Sequence, residues 1–144
     1  MRNLLLFLAT LLALGQVQAA KPHALFVVGT HHYSPHETMP ALASQLDALG
    51  WKTSVLNPGY NPEKNSKGIA GLELLQEADV AIFYTRFLTL PPDQFRLIQL
   101  YLEAGKPVVG FRTSTHAFDY PKDNSLTKWN NGFGSDALGQ DWCY

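Results

Sequence analysis

Short unbroken apolar runs, each closed by polar side chains, are the feature of this sequence that most restricts its fold. Residues 23–29 read HALFVVG, residues 79–84 read DVAIFY and residues 107–111 read PVVGF. A strand with one face in water alternates apolar and polar residues, whereas a strand of a parallel sheet is covered on both faces and stays apolar. These runs therefore predict buried strands of a parallel sheet.

Amphipathic segments between the runs predict the crossover helices that parallel strands require. Ser34 and Glu37 have the spacing of a capping box at a helix start, and apolar residues then recur at helical spacing up to Gly50. A second such segment begins at residues 91–93 and ends at Gly105. Strands that alternate with helices in this way indicate βαβ units with right-handed crossovers.

The order of these segments predicts a flavodoxin-like α/β fold. A second strand at residues 51–56 and a short helix at residues 69–76 complete a three-layer arrangement, with a parallel sheet in the strand order 2-1-3-4. The fourth strand, residues 107–111, would be a sheet edge without any charged residue, which is a pairing hazard. We therefore expect that the domain is incomplete at its C-terminus, with a further strand beyond Tyr144, or that it self-associates through this edge.

The first 20 residues have the pattern of a secretory signal peptide. Arg2 precedes an apolar run over residues 4–14, and residues 17–19 form a small-x-small cleavage site. A membrane anchor is the alternative, but the run is shorter than the ~20 residues that span a bilayer. We therefore predict export to the periplasm or the extracellular medium, with residues 21–144 as one domain that has no membrane segment after cleavage.

The composition of the chain indicates a small-molecule ligand rather than a nucleic acid. The net charge is −1, with acidic and basic residues interspersed, so the sequence gives no basic surface for nucleic acid or anionic lipid. The single cysteine, Cys143, permits no internal disulfide. No glycine-rich phosphate loop follows the first strand, and we therefore expect no nucleotide and no other cofactor.

Polar side chains directly follow three of the predicted strands. Because the carboxyl ends of parallel strands meet at one edge of a sheet, we expect these side chains to converge on one cleft. His31 and His116 are candidates for a catalytic acid or base. The predicted ligand-binding residues are Arg112, Thr113, Ser114, His32, Tyr84 and Arg86.

Other chemistries remain open for this cluster. His31, His32 and His116 could serve a metal-dependent hydrolase. Their spacing matches no metal signature and hydrogen bonds within loops are the favoured explanation, so we assign no metal site. Ser114 beside His116 suggests a nucleophile and its base, although no glycine flanks Ser114 as the tight turn of a serine hydrolase requires. A non-catalytic interaction domain is the third alternative.

The sequence also resembles the ThuA-like (trehalose-utilisation) family over residues 24–142. The most specific segments are GFRTSTHAF at residues 110–118 and the W-N-x-x-F-G-x-x-x-L-G pattern at residues 129–139. The resemblance implies a class I glutamine amidotransferase-like fold, a link to carbohydrate use, and similarity to secreted members found beside carbohydrate-degrading proteins. Relatives continue past the position of Trp142, which implies that this chain is a partial domain.

The resemblance implies that Arg112 stands where true amidotransferases have their catalytic cysteine. Arginine stays protonated and only donates hydrogen bonds, so it cannot attack an amide carbonyl. We therefore expect binding or processing of a sugar or sugar derivative without amidotransferase activity. Aromatic residues near enough in sequence to stack on a sugar are Tyr33, Tyr84, Phe87 and Phe118.

Overall fold

The computed structural model describes residues 19–57 and 68–142, which form an open parallel α/β sheet. Its strands are β1 (His23–Gly29), β2 (Lys52–Leu56), β3 (Val80–Thr85) and β4 (Val108–Gly110). They lie in the order β2-β1-β3-β4, and every pairing is parallel. The predicted flavodoxin-like fold and its strand order are therefore confirmed.

Helices cover both faces of this sheet. Helix α1 (Pro35–Ala48) packs against β1 and β2 on one face, while α2 (Pro92–Glu103) and a 3₁₀ helix (Leu72–Gln76) pack together on the other. After β4 come a 3₁₀ helix (Arg112–His116), the short helix α3 (Trp129–Gly132) and a π-helical turn (Phe133–Ala137). Within the described ranges, no helix has the length and hydropathy needed to cross a membrane.

Alternating strand residues divide the core into two layers, as a strand covered on both faces requires. Phe26 and Tyr84 face α1, whereas Phe83 faces α2. On the α2 side, the ring of Phe118 contacts Phe95 and Phe133 edge-on, with centroids 5.0 and 5.3 Å apart. Each fully buried phenylalanine contributes roughly 1.5–3 kcal/mol, so this aromatic cluster is a main source of stability.

The predicted capping box of α1 is wrong. Ser34 is the N-cap, but its φ of 54° is left-handed and its side chain makes no capping hydrogen bond. A capping serine normally has extended backbone, from which its oxygen reaches the free N–H groups of the first turn. Glu37 instead lies 3.6 Å from the ring of His36. The helix predicted over residues 69–76 is also shorter than expected. It begins only at Leu72, because Gly71 before it has a left-handed φ of 85°.

The edge strand β4 presents an apolar surface. Pro107 accepts from the N–H of Ala81 at 3.1 Å and Phe111 donates to Phe83 at 2.8 Å, so the alternating peptide groups between them point outward. Val109 is 44% exposed. Self-association through this edge stays a prediction, which light scattering over a concentration series would test.

The predicted signal peptide lies almost entirely in residues 1–18, which are outside the described residues. Cys143 is also outside them.

A buried histidine at the start of β1 predicts that stability depends on pH. The side chain of His23 is 3% exposed, its Nε2 lies 3.0 Å from Ser54 Oγ, and its Nδ1 has no hydrogen-bond partner among the described residues. Burial, with the charge of Lys52, lowers the pKa of His23 from its usual 6.5. Below that pH the unfolded chain binds more protons than the folded chain, so the free energy of unfolding should decrease as the pH falls.

Denaturant unfolding at about pH 7 and about pH 5 checks this expectation. The substitution His23→Gln removes the titrating group but keeps a side chain that can hydrogen-bond Ser54. The variant should lose less stability on acidification than the wild type does. An equal loss in both proteins would assign the pH dependence to other groups, such as His32 and His116, whose pKa values are also lowered.

Candidate functional site

The loops that follow β1, β3 and β4 are bonded to one another at one edge of the sheet. The N–H of Arg86 donates to the carbonyl of Gly29 at 3.2 Å, and this bond joins the loop after β3 to the end of β1. The N–H of Phe87 donates to the carbonyl of His116 at 3.0 Å, and this bond joins the loop after β3 to the loop after β4. The structure therefore brings together the three polar clusters that the sequence places at the strand ends.

Left-handed backbone at non-glycine residues is concentrated at this same edge. Within the described ranges such residues follow β1 (Tyr33, φ 65°, and Ser34, φ 54°), β2 (Asn57, φ 51°), β3 (Phe87, φ 51°) and β4 (Arg112, φ 43°). Each costs of order 1–3 kcal/mol and persists only where the surrounding fold holds it. Strain gathered at one edge of an otherwise regular sheet indicates a functional site.

Arg112 occupies the sharp turn between β4 and the following 3₁₀ helix. Its guanidinium carbon lies 4.0 Å from the ring centroid of Tyr33, which is 57% exposed. The guanidinium of Arg112 forms no hydrogen bond or ion pair with the described residues. The ring fixes the position of the guanidinium, while its N–H groups stay available to a ligand.

Tyr84 lies beneath this arginine instead of facing solvent. Its ring stacks on Phe111 at a centroid distance of 6.1 Å, and the side chain is buried in the layer against α1. Burial raises the pKa of the Tyr84 phenol, and the charge of Arg112 partly opposes that rise. Tyr84 therefore remains protonated at neutral pH and supports the turn that carries Arg112.

Arg86 and His32 form a direct pair. Arginine only donates, so its Nη1 donates to His32 Nε2 at 2.5 Å, and the neutral imidazole must carry its proton on Nδ1. Desolvation lowers the pKa of the His32 imidazole, and the charges of Arg86 and His31 lower it further. The His31 ring meets that of His32 edge-on at 4.3 Å. His31 is exposed, and its ring remains accessible at the site.

Three aromatic rings form a contiguous surface on the other side of Arg86. Phe87, His116 and Trp142 have centroids 4.5 to 5.8 Å apart, and the Arg86 guanidinium carbon is 4.5 Å from the Phe87 centroid. Burial and the charge of Arg86 lower the pKa of His116. His116 is therefore neutral near pH 7 and could accept a proton, which keeps it a candidate base.

Two predicted ligand-binding residues have their hydroxyls occupied by the protein. Thr113 Oγ1 donates to the carbonyl of Thr85 at 2.8 Å, and the 1%-exposed Ser114 lies 2.8 Å from the carbonyl of Phe83. Ser114 also accepts from the N–H of Thr85 and makes no hydrogen bond with His116. Both residues attach the loop to β3, so the structure gives Ser114 neither the access nor the partner of a nucleophile.

The histidines are not arranged as a metal centre. Across residues 19–57 and 68–142, no group of three or more histidine, cysteine, aspartate or glutamate side chains could hold a metal ion. His32 Nε2 already accepts from Arg86, and a guanidinium at that distance repels a metal cation. The metal-dependent hydrolase hypothesis therefore has no ligand set in the described residues.

Two aromatic residues are placed differently from the sequence expectation. Phe118 was a candidate to stack on a ligand, but it is 2% exposed and belongs to the core against α2, because the chain turns inward after His116. Trp142 was not predicted at the site, yet its ring contacts both His116 and Phe87. Its only signal in the sequence is an aromatic residue within an otherwise polar segment.

The strand-end loops thus carry two guanidiniums, three histidines and a set of partly exposed rings. Tyr33 and Phe87 offer exposed aromatic surface, and Arg112 offers hydrogen-bond donors that no described residue accepts from. Comparison of the chain with protein-family models, with curated proteins and with solved structures finds no match. The function of the chain must therefore be argued from the geometry of this site.

Proposed function

We propose that this chain is an exported ThuA-like domain that binds a sugar or a sugar derivative and does not transfer the amide of glutamine. The observation that carries the proposal is the exposed Arg112, whose guanidinium has no hydrogen-bond or ion-pair partner among the described residues. It lies at the same sheet edge as a contiguous aromatic surface. Sites for small ligands combine apolar and aromatic lining with a few placed polar groups. The pattern of residues 1–20 supports the exported location.

The aromatic surface suits the apolar face of a sugar ring. Phe87 is partly exposed, and it packs with His116 and Trp142 so that the rings present a joint surface. A pyranose has one face of C–H groups that can bury apolar area against such rings, while its hydroxyls stay at the rim. Arg112 and His31 supply polar groups for those hydroxyls.

The residues at the turn after β4 argue against amide chemistry. The resemblance to the ThuA-like family puts Arg112 at the position of a nucleophile, and a guanidinium has no lone pair with which to attack. The hydroxyls of Thr113 and Ser114, which follow Arg112 in the chain, are buried and bonded to β3. If the domain processes its ligand, His116 or His31 would move the proton.

Isothermal titration calorimetry of the full chain against mono- and disaccharides tests the proposal. We expect at least one sugar to bind, and Arg112→Ala to weaken it roughly tenfold or more because hydrogen bonds to a charged donor are lost. Phe87→Ala should weaken binding through lost ring contact. Arg96→Ala is the matched control, since Arg96 lies on α2 in an exposed ion pair with Glu103. Absence of binding for every sugar by the folded wild type would contradict the proposal.

A further inference from the structure

We propose that the ligand of this site carries an anionic group, a carboxylate or a phosphate, and that Arg112 binds it. The inference rests on the proposed function, because it specifies the ligand as an acidic sugar. It concerns charge, which the proposed function leaves open.

Neither the guanidinium of Arg86 nor that of Arg112 has a carboxylate partner among the described residues. The described residues contain three ion pairs, which join His36 to Glu37, Lys52 to Glu77 and Arg96 to Glu103. None of them includes Arg86 or Arg112. Arg96 on α2 thus has a carboxylate partner, whereas the two arginines at the strand ends have none within the part of the chain that the structure describes.

A series of contacts through Tyr33 and His32 connects the two arginines. Arg112 lies over Tyr33, the Tyr33 ring is 6.3 Å from that of His32, and His32 accepts from Arg86. Both positive charges therefore lie in the loops at one edge of the sheet, and the aromatic and imidazole rings that connect them do not neutralise them. Positive charge gathered at one edge without a carboxylate partner among the described residues favours an anionic ligand there.

The backbone turn and a neighbouring ring hold the Arg112 side chain in position. The left-handed turn and the Tyr33 ring position the guanidinium before any ligand binds, so less conformational entropy is lost on binding. The planar fork of an arginine matches the two oxygens of a carboxylate or a phosphate. An anionic acceptor adds charge attraction and a bidentate geometry to these hydrogen bonds, so an acidic sugar gains more from this arrangement than a neutral one.

Calorimetry with matched neutral and anionic probes tests the inference on the full chain. The probes are glucose, glucuronate, its neutral amide glucuronamide, glucose 6-phosphate, acetate and inorganic phosphate. We expect glucuronate or glucose 6-phosphate to bind roughly 10- to 100-fold more tightly than glucose and glucuronamide. The preferred anion identifies the group as a carboxylate or a phosphate. Raising the salt from about 0.05 to about 0.5 M should weaken only the anionic probes.

Variants at Arg112 assign the preference to this side chain. Arg112→Gln should abolish the preference for the anionic probes, and Arg96→Gln should retain it. Arg112→Lys keeps the charge and loses the bidentate fork, so it should give an intermediate preference, and it provides a second readout should the glutamine variant fail to fold. A preference unchanged in either folded Arg112 variant would overturn the assignment.

The outcomes separate this inference from the proposed function. Binding of glucose as tight as that of both glucuronate and glucose 6-phosphate would overturn the anionic ligand and leave the sugar proposal intact. Binding of acetate or inorganic phosphate as tight as that of the acidic sugars would support the anion site and overturn the sugar. Binding of none of the probes by the folded wild type would overturn both.

Discussion

Replacing Gly134 with alanine should lower the free energy of unfolding by about 2–3 kcal/mol. A Cβ at this position would lie 2.6 Å from the carbonyl oxygen of Thr115 and 2.7 Å from that of Gln140. Both are backbone atoms, so no change of rotamer can relieve the contact. The π-helical turn that contains Gly134 would have to move away from the site loop.

Gly132→Ala is the matched control for this substitution. A Cβ at Gly132 would have Asp136 Oδ2 as its nearest neighbour, at an ordinary 3.4 Å. Because Gly132 lies within α3, alanine there should be neutral or stabilising by up to about 1 kcal/mol. Denaturant unfolding of both variants measures the difference, and equal stabilities would show that the close contact at Gly134 is relieved without cost.

The same contact connects the end of the described chain to the site. Thr115 directly precedes His116, and Gln140 lies two residues before Trp142. Gly134 therefore allows the segment after the π-helical turn to pass close to the loop after β4, where the Trp142 ring meets His116 at 4.5 Å. In the Gly134→Ala variant we also expect weaker ligand binding, because the separation of these rings would change.

The fold could be predicted from the sequence because burial on both faces leaves a plain pattern. The run over residues 23–29 coincides with β1, and the other strands differ from their predicted ranges by one residue at one or both ends. The start of α1 could not be predicted in the same way. Tyr33 and Ser34 both adopt a left-handed backbone conformation, which neither residue type predicts.

The candidate site was predictable in location but not in the role of each side chain. The parallel topology alone places the loops after β1, β3 and β4 together. Which side chains face the ligand depends on the left-handed turn at Arg112, which directs Thr113 and Ser114 toward β3 and leads Phe118 into the core. The residue pattern gives no sign of this left-handed turn.

Ser114→Ala should destabilise the protein by about 2–3 kcal/mol, although it removes one oxygen atom only. The hydroxyl is buried, and it accepts from the N–H of Thr85 at 3.2 Å while lying 2.8 Å from the carbonyl of Phe83. Phe83 would keep a bond from the N–H of Phe111, at 2.8 Å. The Thr85 N–H would lose its acceptor inside the fold, and an unsatisfied buried donor carries most of the cost.

Two further variants separate this effect from the general cost of removing a hydroxyl. Thr113→Val keeps the shape of the side chain and removes one bond, to Thr85, so it should cost about 1 kcal/mol. Ser135→Ala removes an exposed hydroxyl and should change the free energy of unfolding by less than about 0.5 kcal/mol. Denaturant unfolding should therefore rank the losses Ser114, Thr113, Ser135. A loss at Ser114 no larger than that at Ser135 would mean that water satisfies Thr85 and that the loop after β4 is not anchored through this hydroxyl.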